Sequence, residues 1–212
     1  MDRRTTIKWV LAASATWPAL APRIGRADPV VAWQIGASPG HGYGTDPNLL
    51  PAHHPGEYWP LTLSAAQRRL ATVLSDLILP ADEHSPSASQ VGVVDFIDEW
   101  VSAPYPDNQR DRPIVLEGLA WLDAQATRRL GKGFADLESA AQRGICDEIC
   151  DLSRASPERT AAAHFFARYR DLTAGGFYSS AAGRKDVGYI GNVPLPRFDG
   201  PPRELLAKLN LL

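Results

Sequence analysis

Two cysteines, one methionine and no apolar run of membrane-spanning length set the first limits on this 212-residue chain. Two thiols are too few for the ligand sets that iron–sulfur clusters usually use, and no Cys-x-x-Cys-His is present to attach a haem. No Gly-x-Ser-x-Gly presents a hydrolase nucleophile on a strained turn. His41-Gly42-Tyr43-Gly44 is glycine-rich but lies in a proline-laced stretch with no strand–helix–strand unit around it, which removes a dinucleotide fold. Strand alternation, heptads and internal repeats are all missing. Outside the N-terminus negative charge outweighs positive. Residues 1–27 hold five of the 22 basic side chains and one of the 24 acidic ones, so the rest is acidic by about six charges. Such a body is poorly suited to nucleic acid, whose binding rests on phosphate neutralisation by Lys and Arg. Nothing in this inventory is equipped to move electrons or break bonds.

What is present begins with Asp2-Arg3-Arg4-Thr5-Thr6-Ile7-Lys8, followed by an apolar run from Trp9 to Ala21 that contains Pro18. Thirteen residues fall short of the ~20 that a spanning helix needs. A basic start, a short apolar middle and small residues at Gly25 and Ala27 fit a secretory signal over residues 1–27. The adjacent Arg3 and Arg4 make it similar to a twin-arginine signal, the address for proteins exported already folded. Arg23 and Arg26 after the apolar run fit the same route. The alternative is a basic, frayed terminus without an address.

Residues 28–61 contain six prolines and five glycines, so no helix persists there and an extended arm is expected. Trp33, Tyr43, Tyr58 and Trp59 give the arm apolar weight. It should lie on a surface, either its own bundle's or a partner's.

Residues 62–212 read as one helical domain. Ser64-Ala65-Ala66-Gln67 is a capping box, and Ala66, Leu70, Val73, Leu74, Leu77 and Ile78 then recur at helical spacing up to Pro80. After the loop Ala81–Ser89 the same period returns in Val93, Phe96, Ile97, Trp100 and Val101. Two apolar stripes so closely joined are expected to bury each other as an antiparallel pair forming the core. A third helix should begin near Asp107 or Asp111, with Pro113 tolerated only in its first turn, and stop at Gly131. A fourth is expected over about Leu137–Leu152. A fifth should open on Ser156-Pro157-Glu158 and end at Gly175-Gly176. The segment Phe177–Pro202 has neither period, and its aromatics among glycines suit an exposed docking patch. A short last helix over Arg203–Leu211 offers Leu205, Leu206 and Leu209. The fold class expected is all-α, a single bundle of five to six helices with an irregular aromatic and glycine-rich C-terminal segment.

Cys146 and Cys150 lie four apart on the expected fourth helix. Helical neighbours at that spacing hold their Cβ atoms about 5–6 Å apart, beyond the ~3.5–4.5 Å of a disulfide. Two readings remain, buried thiols or a bridge to a partner chain. Asp82-Glu83-His84, with His53-His54, gathers metal-ligand side chains, but adjacent loop residues seldom converge on one ion. Local hydrogen bonds by Asp82 and His84 are the simpler reading, with an exported metal-binding protein or enzyme using Asp82 and His84 as the rival. His164, beside Phe165, reads as a core or edge residue.

Three stretches together resemble the gluconate 2-dehydrogenase subunit 3 family. They are Leu74-Ser75-Asp76-Leu77-Ile78-Leu79-Pro80-Ala81-Asp82 with Ser85-Pro86-Ser87-Ala88; Val93-Val94-Asp95-Phe96-Ile97-Asp98-Glu99-Trp100; and Gly176-Phe177-Tyr178-Ser179 with Gly183, Lys185-Asp186, Gly188-Tyr189 and Gly191-Asn192. The arm with Gly42-Tyr43-Gly44-Thr45-Asp46-Pro47 is similar to members that accompany dehydrogenases acting on glucosides. The resemblance implies a non-catalytic small subunit of a membrane-associated periplasmic complex, holding no cofactor of its own. A separate catalytic subunit would carry FAD and, in some members, an iron–sulfur cluster. A c-type cytochrome subunit with haem would pass electrons onward. The small subunit would assist folding of the catalytic subunit and bring it to the twin-arginine translocase. Trp59, Phe177, Tyr178, Tyr189 and Asn192 are the expected docking residues, and Cys146 and Cys150 the candidates for an intersubunit disulfide.

Overall fold

The computed structural model describes residues 54–189, 191 and 200–211. Among them are seven helices and no strand. They are α1 (Ala65–Ile78), α2 (Val93–Ser102), α3 (Pro106–Leu130), α4 (Ser139–Asp147), α5 (Thr160–Ser179), α6 (Ala181–Asp186) and α7 (Arg203–Lys208), with short 3₁₀ turns between several of them. The all-α bundle expected from periodicity is the architecture observed. Residues 1–53, with Arg3, Arg4 and His53, lie outside the described residues, as does Asn192.

Helix α1 starts where its capping box places it. Gln67 N donates to Ser64 Oγ (3.3 Å) and Ser64 N donates to Gln67 Oε1 (2.9 Å). Leu70, Ala71, Leu74 and Ile78 form its buried stripe. Across the loop, α2 buries Val93, Val94, Ile97 and Val101. The two run antiparallel, because Thr62 N donates to Ser102 Oγ (2.8 Å), Arg68 pairs with Asp95 and Asp98, and Ser89 N donates to Asp76 Oδ1 (2.8 Å).

This pair is one wall of the core rather than its centre. The largest fully buried side chains include Tyr169, Phe165 and Phe177, all on α5. That helix touches α1, α2, α3 and α6. Tyr169 is completely enclosed, and its hydroxyl donates to Ala71 O on α1 (3.0 Å). It thus buries a full aromatic face, on the order of 2 kcal/mol or more, without orphaning its oxygen. Helix α5 approaches α3 closely because Gly118 has no side chain; a Cβ there would overlap the Phe165 ring.

Four expected boundaries are corrected. Gly175 and Gly176 do not end the fifth helix, which continues to Ser179. Neither needs a left-handed backbone, and Gly176 instead makes room for Phe96, whose Cδ1 would lie 2.7 Å from an added Cβ. Phe177 is consequently a core residue and the segment after it is less irregular than expected, since α6 forms a further turn capped by Ser180. Pro113 sits well inside α3, because Pro106 already occupies the first turn. The cost is the missing N–H that would have bonded the Gln109 carbonyl, and Pro113 sits on the exposed face. Helix α4 stops at Asp147, so Cys150 lies in the following turn and not one helical turn above Cys146. The last helix ends at Lys208, short of Leu211, and of the core and edge readings of His164 the edge one holds, since it is exposed.

The end of the arm lies on its own bundle. Asp98 is fully buried, and its Oδ1 accepts from Thr62 N (3.1 Å) and Leu63 N (2.9 Å) while Oδ2 accepts from Arg68 Nη1 (2.6 Å). Gly56 N donates to Glu99 Oε2 (2.9 Å). The start of α3 closes the C-terminus of α2: Asn108 Nδ2 donates to Trp100 O, and Arg112 donates to the carbonyls of Val101 and Ser102. These are the carbonyls a helix C-terminus leaves without intrahelical partners.

A candidate docking groove and an exposed tail

Helix α4 is only nine residues long, and the chain after it folds into turns. A groove of about 900 Å³ is left between the C-terminal half of α1, α4 with its following turn, and α5. Val73 and Leu77 line it from α1, Cys146 from α4, and Phe166 and Arg170 from α5. The helix periodicity explains this exposure. Leu70 and Leu74 face the core and are buried, while Val73 and Leu77 on the flank of the same stripe are only half-buried.

The groove's charged groups are unequally engaged. Asp76 accepts from Ser89 N (2.8 Å) and Ser89 Oγ (2.7 Å). Glu148 pairs with Arg129 (2.7 Å) and Arg159 (2.8 Å), and the Arg129 bond foremost holds its carboxyl below the usual range. Asp151 accepts from Ser153 N and Oγ. Arg170 is different. Its side chain is 17% exposed, its Nη2 lies 3.3 Å from Asp171 Oδ1, and its buried Nε has no acceptor.

Both cysteines line this groove and both are free thiols. Burial pushes the Cys146 thiol up to about 12, with the neighbouring Asp147 adding to it. Cys150 is half-buried, and burial with Asp147 and Asp151 raises it too. Since the thiolate is the nucleophile, neither is an activated cysteine, and Cys150 is the more accessible.

A second polar node stands on the other side of α5. Asp111 Oδ2 accepts from Trp100 Nε1 (2.7 Å) and Arg168 Nη2 (2.5 Å), and the Arg168 guanidinium lies over the Trp100 ring, 5.7 Å from its centroid. Burial works to raise the Asp111 carboxyl, but the two hydrogen bonds and the positive charge outweigh it and hold it low. The basic residues inside the α5 apolar pattern, Arg168 and Arg170, were the available signal for both the node and the groove.

The sequence-derived docking residues do not form one patch. Trp59 is half-buried, with its ring edge-on to Tyr105 at 5.8 Å. Phe177 is enclosed, which removes it from any docking surface, and Tyr178 is partly buried against it. Tyr189 is 61% exposed and Val187 57% exposed. Further on, Leu205 on α7 and Leu209 just past its end are exposed, and the helix has no buried residue. In the α1–α2 loop Asp82 Oδ1 accepts from the backbone N–H groups of His84 and Ser85 (both 2.9 Å), so the carboxylate shapes a turn. Among the described residues no group of three or more His, Cys, Asp or Glu is placed to hold a metal, and no helix is long and apolar enough to cross a membrane.

Comparison with curated proteins and with solved structures gives no match. A family model does match, described as gluconate 2-dehydrogenase subunit 3, over residues 65–196. That span is more than half of the chain and runs from the first residue of α1 past α6. The chain therefore belongs to the gluconate 2-dehydrogenase subunit 3 family, as a subunit of a multi-subunit dehydrogenase.

Proposed function

We propose that this chain is the non-catalytic small subunit of a periplasmic, membrane-associated FAD-dependent sugar dehydrogenase. In this reading it helps the catalytic subunit fold, carries it through the twin-arginine translocase and stays bound afterwards. The observation that carries the reading is the family match, which spans nearly the whole helical body. The N-terminal Arg3-Arg4 pair ahead of a short apolar run supports the export role. FAD, an iron–sulfur cluster where one exists, and haem would reside on the catalytic and cytochrome subunits. The exposed Val187 and Tyr189 and the half-buried Trp59 offer apolar surface to those partners. Cys150, half-buried in a turn, is the better placed thiol for a bridge to a partner chain, and Cys146 the enclosed one.

Replacing Arg3 and Arg4 together by Lys tests the export role. Dehydrogenase activity is expected to remain in the cytoplasmic fraction, with its flavin in place. Unchanged delivery of that activity to the periplasm would refute co-export. Turnover of a sugar by the purified chain alone, with an artificial electron acceptor, would refute the non-catalytic assignment.

A further inference from the structure

We draw no further inference here: the strongest candidate, the groove between α1, α4 and α5, is lined by carboxylates and guanidinium groups in nearly equal measure, and nothing in the structure shows what covers it.

Discussion

Asp98 fastens the end of the N-terminal arm to the bundle, and its removal should be costly in a defined way. In Asp98→Ala the Leu63 N–H, on a buried residue, loses its acceptor, a loss worth about 1–3 kcal/mol. Thr62 N keeps a partner, because Ser102 Oγ lies 2.8 Å away. Arg68 also keeps Asp95, and its side chain is 34% exposed, so loss of its bond to Asp98 adds only about 1 kcal/mol. The expected sum is ~3 kcal/mol, which at a urea dependence of about 2 kcal/mol/M lowers the unfolding midpoint by roughly 1.5 M. Asp98→Asn keeps an oxygen for the two amides and should cost about 1 kcal/mol. Urea titration followed by far-ultraviolet dichroism measures both, and hydrogen exchange at the Leu63 amide locates the damage. A midpoint shift below about 0.3 M for Asp98→Ala, or equal losses for the two variants, would refute the reasoning.

Two further expectations use the same titration. Gly118→Ala should destabilise by about 2–3 kcal/mol, since its Cβ would overlap a fully buried Phe165 ring, whereas Gly175→Ala on the open face of α5 should stabilise by about 0.5–1 kcal/mol; similar effects from the two would refute the packing of α3 on α5. Asp111 and Glu148 titrate below their ordinary values in the folded protein. At acid pH the unfolded chain therefore binds more protons, so their stabilisation is complete above about pH 5 and is lost on acidification below about pH 4. Asp111→Asn should flatten that part of the stability–pH curve, and an unchanged slope would rule out the Arg168–Asp111–Trp100 node as a contributor.

Much of the fold was legible because each signal acts over a few residues. The Ser64–Gln67 box fixes the start of α1, and the stripes of α1 and α2 mark their buried faces without help from the rest of the chain. The misreadings all involve residues whose meaning depends on a distant neighbour. Gly175-Gly176 looks like a helix stop until Phe96 from α2 is found against Gly176. Phe177 looks like an exposed aromatic until α5 is seen to continue through it into the core. Pro113 looks like a first-turn residue because nothing local reveals that Pro106 has already taken that place. The groove was the least legible feature, since a space among three helices is written in no single stretch. Its local trace is the arginine Arg170 beside the buried Tyr169 on α5.

The clasp at Asp98 also decides how the body responds to traction. The described arm runs onto α2 before the chain turns into α1, so tension applied from the N-terminal side is delivered to Thr62 and Leu63. From there it passes through one enclosed carboxylate into the middle of α2, with Arg68 in the first turn of α1 held by the same group. A pull from the N-terminal side therefore grips the body at its waist and not by a loose thread.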